Sequence, residues 1–190
     1  MKIRMLIPIF FIGLMIACTP ATKLENSWMD PSLTSGTVKS FTKVLVVAAL
    51  KDESAKRIAE DKIAAQFKPG IAIQSYTYLD ATDTDQKQVE AKLKKDGFDG
   101  VVLMRLKDVE KSATYTPGTA YGGWYGYRNI TPGYYTENKT FIVETNFYSL
   151  AKSKLLWTGT TSTLNPTKLE NTIDQIIATI KFELQKKGLL

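Results

Sequence analysis

The chain has 190 residues, with 25 Lys and Arg against 19 Asp and Glu, no His and a single Cys. Without histidine there is no imidazole base, no Ser-His-Asp triad and no imidazole metal ligand, and one cysteine allows neither an internal disulfide nor a thiolate zinc cluster. A composition 44% hydrophobic and 23% charged is that of an ordinary globular chain, of a length for one domain or one domain plus a tail.

Lys2 and Arg4 precede an uncharged apolar run from Met5 to Ala17. The run falls short of the ~20 apolar residues of a spanning helix, so residues 1–17 read as a signal peptide. It closes on Leu14-Met15-Ile16-Ala17-Cys18, with small Ala17 directly before the cysteine. This resembles the lipobox of bacterial lipoproteins, with Met15 where Leu is usual. The resemblance implies cleavage before Cys18, a diacylglycerol on its thiol and usually an acylated amine. Each buried acyl CH₂ adds ~0.8 kcal/mol of membrane affinity, and two or more chains give stable anchoring. Thr19, where Asp would signal inner-membrane retention in the enteric scheme, implies the outer membrane, facing the periplasm. The alternative is a plain secretory signal that happens to end in Cys. Residues 18–40 are polar and turn-rich (Pro20, Asp30-Pro31-Ser32, Ser35-Gly36) and are expected to form a lipidated tether. Trp28 and Met29 within it are expected to dock on the domain or its neighbour.

The folded domain is expected over 41–190. Lys43 to Leu50 is a β-branched apolar run, the pattern of a strand buried on both faces. Asp52 and Ser54 offer N-cap oxygens to a helix reaching Phe67, with Ala55, Ala59, Ile63 and Phe67 on one face, and Pro69-Gly70 stops it. Ile71 to Leu79 alternates and reads as a second strand. A second helix is expected over Thr84 to Asp96, with Val89 and Leu93 inward, Gly97 at the left-handed cap and Phe98 folding back. Val101 to Val109 reads as a third strand, and this βαβαβ order implies a parallel sheet with right-handed crossovers. Phe141 to Leu150 and Lys154 to Thr163 then read as an antiparallel hairpin. Asn165-Pro166 has the form of a helix start. It is followed by an apolar stripe of Leu169, Ile173, Ile176, Ile177, Ile180 and Leu184, ended by Gly188.

The expected fold is therefore α/β, with a two- or three-layer mixed sheet of about five strands, three helices and the order β-α-β-α-β-β-β-α. That order resembles the amino-terminal domain of TolB and small outer-membrane lipoproteins such as the activators of penicillin-binding proteins. The stretch from Lys95 through Gly97, Asp99 and Gly100 to Met104 is similar to their helix–glycine–acidic–strand segment. Phe147 to Trp157 is similar to the hairpin of small bacterial lipoproteins. The resemblance covers roughly residues 40 to 188, implies a binding or scaffolding role and carries over no catalytic residue.

One segment stands apart. Residues 115–135 hold six of the nine tyrosines, Trp124, five glycines and two prolines, with no carboxylate and Arg128 as the only cation. Such glycine and proline density breaks regular structure, and a loop this long is often functional. Tyr and Trp offer rigid contact area with a polar tip. The candidate binding residues are Tyr115, Tyr121, Trp124, Tyr125, Tyr127, Arg128, Tyr134 and Tyr135. Their ligand could be a protein, a wall glycan or the lipid headgroup layer, unless the loop packs on its own sheet.

Asp80, Asp83 and Asp85 cluster, but without the glycine and distal Glu of a calcium loop, and a helix N-cap accounts for them. No phosphate loop, dinucleotide glycine pattern or Gly-x-Ser-x-Gly elbow is present, so no cofactor is expected. The formal charge of +6 falls to +4 with the loss of Lys2 and Arg4. The basic residues Lys92, Lys94, Lys95, Lys181, Lys186 and Lys187 fall on helix faces, and nucleic acid lies in the wrong compartment. The expectation is a non-enzymatic, lipid-anchored envelope module that binds a protein or wall polymer. The alternatives are a carboxylate-dependent hydrolase of wall glycan and a structural subunit of an envelope complex.

Overall fold

The computed structural model describes residues 22–80, 82–83, 85–118, 120–122, 128–130 and 132–190, with the backbone alone at 39, 120–122 and 128–130. The expected signal peptide, Cys18 and Thr19 lie outside these residues. So do Trp124, Tyr125 and Tyr127, and the side chains of Tyr121 and Arg128.

The described chain forms β1 (Thr22–Met29), a 3₁₀ turn (Val38–Ser40), β2 (Val44–Ala49), α1 (Glu53–Ala64), β3 (Ala72–Gln74), one-turn α2 (Ser75–Tyr78), α3 (Gln86–Lys95), β4 (Gly100–Thr116), β5 (Ala120–Gly122), β6 (Arg128–Ile130), β7 (Tyr134–Ser149), β8 (Lys154–Leu164) and α4 (Leu169–Lys186). Six strands make one mixed sheet in the order β1-β8-β7-β4-β2-β3, and β5-β6 pair separately. β2 runs parallel to β3 and β4, while β4-β7, β7-β8 and β8-β1 are antiparallel. The α/β class and mixed sheet hold. The sheet has six strands rather than about five, and four helices rather than three.

Alternation explains the layers. Val44, Val46 and Ala48 of β2, Val102 and Met104 of β4, and Phe147 of β7 pack against Ala59 and Ile63 of α1 and Ile173, Ile176, Ile180 and Leu184 of α4. The opposite face of the parallel half is closed by Leu45, Leu93, Phe98 and Leu150. Asp52 caps α1 by accepting from Ala55 N, and Asp85 caps α3 by accepting from Gln88 N. Gly97 takes φ 79° and Phe98 N donates to Leu93 O, the left-handed helix end read from the sequence.

Four expectations are corrected. First, residues 22–40 are folded rather than a tether. Thr22 is buried, its hydroxyl 2.8 Å from that of Thr163 and donating to Gln175 Oε1 at 3.1 Å. Val38 and Phe41 belong to the core. Second, the strand expected over 71–79 stops at Gln74 and turns into α2. The cause is Glu60, a wholly buried carboxylate on α1. It accepts from Ser75 Oγ and Tyr76 N at the start of α2, and from Ala48 N on β2 beyond the last β3 pair. Third, β4 and β7 run far past 109 and begin well before 141. Fourth, Asn165 does not cap α4, whose first residue follows Lys168. Asn165 instead adopts φ 46° and bonds back to β7, while Leu169 is 44% exposed, off the buried stripe.

Candidate functional site

The extension of β4 and β7 builds the site. β4 loses β2 as its neighbour after Arg105, which pairs with Ala49. At that point Glu144 of β7 accepts from Arg105 Nε at 3.0 Å and from Asn146 Nδ2 at 2.9 Å, with Lys107 Nζ 3.9 Å away. The Asn146 amide foremost, then Arg105, holds the Glu144 carboxyl below its ordinary value. This ionised cluster fixes register where the sheet narrows.

β8 pairs with β7 only as far as Thr140, opposite Leu164. Six pairs remain beyond it, from Lys111–Lys139 to Thr116–Tyr134, in which β4 and β7 pair with no third strand among the described residues. At ~3.3 Å per residue these six pairs project ~20 Å from the sheet. Asn165 clamps the base of this ribbon. Its N and Oδ1 bond Lys139 O and N, both at 2.8 Å, and its Nδ2 donates to Asn138 Oδ1 at 2.7 Å. A two-stranded ribbon alone in water is marginal, and this side-chain clamp continues the β8 ladder by one residue.

The ribbon ends in aromatics. Tyr115 and Tyr135 face each other across the strands, ring centroids 4.8 Å apart and tilted 42°. Tyr134, opposite Thr116, points to the other face. The three are 52%, 76% and 60% exposed respectively. A Cβ at Gly133 would overlap the Tyr115 hydroxyl, so glycine lets the chain pass close to that ring. Beyond the tip, Tyr121 pairs with Asn129 and Gly122 with Arg128 in the backbone ladder of β5-β6. Of the eight candidate residues, then, the structure brings Tyr115, Tyr134 and Tyr135 together and places the backbone of Tyr121 and Arg128 in the adjoining hairpin. The others fall outside the described residues. The described part of the segment ends a projecting hairpin, where the Tyr115, Tyr134 and Tyr135 side chains are each more than half exposed.

The register also fixes which way the N-terminal end of β1 points. Thr22 pairs with Thr163, and Thr163 with Phe141. β1 and β7 therefore run in the same direction, and the N-terminal end of β1 faces the way the ribbon projects. The sequence carried no sign of this, because it depends on the pairing of β1.

Among the described residues no helix is long and apolar enough to cross a membrane. No protein-family profile matches the sequence, and no curated protein matches it. Among solved structures the chain is similar to the PelC dodecamer from Paraburkholderia phytofirmans, at 14% identity over 84% of this chain and 94% of that one, with a TM-score of 0.45. It is also similar to Lipoprotein GNA1162 from Neisseria meningitidis, at 12% identity over 76% of this chain and 99% of that one, with a TM-score of 0.42.

Proposed function

We propose that the protein is a non-enzymatic binding module of the bacterial envelope, anchored by acylated Cys18 at the periplasmic face of the outer membrane. In this reading it uses the aromatic end of the β4–β7 ribbon to hold a partner at that membrane's surface. The observation that carries this is the group of Tyr115, Tyr134 and Tyr135, exposed at the end of a ribbon that no other element covers among the described residues. Aromatic area of this kind has little use in a monomer and much in an interface. The strand register supports the membrane side. Four Cα steps separate Cys18 from Thr22, which limits the span to ~14 Å, and β1 enters from the direction the ribbon takes. Anchor and ribbon thus serve the same surface.

A photoreactive side chain replacing Tyr135 in cells tests the reading, with one replacing exposed Lys95 as the control. Discrete adducts at 135, absent at 95 and lost in Cys18→Ser when that unlipidated form is cleaved and so released from membranes, are expected. Equal adducts at both positions, or adducts indifferent to the anchor, would refute it.

A further inference from the structure

The geometry points to a second binding site, for a single-chain amphiphile with an anionic head, in a cavity between the two helices and the sheet. It is independent of the ribbon and lies nearer the start of β4, on the face that α1 and α4 cover.

The cavity has a volume of about 340 Å³, within the ~300–1,000 Å³ range of small-molecule sites. It is a cleft that opens to solvent at one end rather than an enclosed packing void. Its origin is legible in the strand register. Met104, Thr145 and Gly159 lie side by side across β4, β7 and β8. On β7, Thr145 stands between inward-facing Val143 and Phe147, where alternation calls for a large apolar group. The floor is therefore low at Thr145, and the helices above do not drop to fill it.

Two features select the occupant, the apolar interior and the cationic rim. The interior is apolar, with Val102, Met104 and Phe147 below and Ile63 and Ile180 at the sides. At its floor Thr145 is 3% exposed and presents a short side chain rather than a large apolar one. The rim, in contrast, is polar: Lys68 and Lys181 line the opening with Gln66, and Lys181 Nζ reaches across to Gln66 Oε1 at 3.3 Å. Neither lysine forms an ion pair among the described residues, although Lys62, one turn before Gln66, is paired with Asp174. An apolar slot under two unneutralised cations suits an alkyl chain bearing a carboxylate or a phosphate. A free fatty acid and a lysophospholipid share that chemistry.

The test uses the full chain carrying Cys18→Ser, purified without detergent and titrated with dansyl-labelled undecanoate. Saturable one-to-one binding with a blue-shifted emission is expected, displaced by decanoate if the source is fatty acid or by lysophosphatidylglycerol if it is lysophospholipid. Thr145→Leu raises the floor and should weaken binding about tenfold or more through lost alkyl contact. The exposed double change Lys68→Gln with Lys181→Gln should weaken it about fivefold, while leaving the matching uncharged dansyl-undecanol unaffected. Tyr134→Ser with Tyr135→Ser should change nothing, which separates this site from the ribbon. Absence of saturable binding, displacement by neither competitor, unchanged affinity in Thr145→Leu, or loss in the tyrosine variant would each overturn the proposal.

Discussion

Replacing Glu60 tests the account of why the third strand is cut short. Its carboxylate accepts from Ala48 N at 2.9 Å, Ser75 Oγ at 2.6 Å and Tyr76 N at 3.1 Å, so three donors depend on one side chain. Ala48 and Ser75 are 1% and 3% exposed, and Glu60→Leu leaves both without an acceptor and without water. Each buried donor so stranded costs ~1–3 kcal/mol, which makes the variant less stable by ~4 kcal/mol. That is a large part of a typical stability of ~5–15 kcal/mol. For a domain of this size it lowers the melting temperature by ~8–16 °C. Glu60→Gln is the graded control. Its remaining oxygen can still accept from Ala48 N and Ser75 Oγ, while its amide faces the Tyr76 N–H, so it should lose only ~1–2 kcal/mol. Urea and thermal unfolding followed by circular dichroism give both numbers. A cost for Glu60→Leu below ~1 kcal/mol, or equal costs for the two variants, would refute the role assigned to the carboxylate.

Other outcomes follow from particular contacts. A Cβ at position 159 would overlap the ring of Trp157, which is wholly buried. Gly159→Ala should therefore cost ~1–3 kcal/mol by overpacking, with a red-shifted Trp157 emission. Unchanged fluorescence and stability would count against the packing described. Burial and the hydrogen bond to Asp96 push the Tyr78 hydroxyl up to about 12 from its ordinary 10.0. The protonated form is the one favoured by folding. Its contribution is therefore full below pH 10 and is lost as pH rises towards 12. Tyr78→Phe should flatten the fall in stability over that interval, and an unaltered alkaline profile would contradict the assignment.

The parts of the fold legible in the sequence are those whose signal is local. The caps Asp52 and Asp85, the left-handed Gly97, the apolar run of β2 and the stripe of α4 each state their own conformation. β1 was hidden for a physical reason. It is an edge strand, and the register shift between Leu24 and Asn26 breaks its alternation midway, so a period of two never shows. The outer halves of β4 and β7 were hidden because water meets both of their faces, and no hydrophobic pattern is required there. Ile71 to Leu79 did alternate, but a buried carboxylate from another helix captured its second half. The aromatic segment was visible by composition. That Tyr115 and Tyr135 face one another, at the end of a ribbon rather than in a loop folded on the sheet, depended on pairing that composition does not encode.

The pairing of β1 also orders events in time. Thr22 is among the first residues of the domain to be made, yet its partner Thr163 lies 141 residues later in the chain. At ~5–20 residues per second the partner is synthesised on the order of ten seconds afterwards. Throughout that interval β1 has no β8 edge to join. Once β8 is in place and β1 docks, Thr22 is buried and only three residues separate it from Cys18. Because β1 can dock only after β8 has been made, its pairing is among the last that the six-stranded sheet can complete.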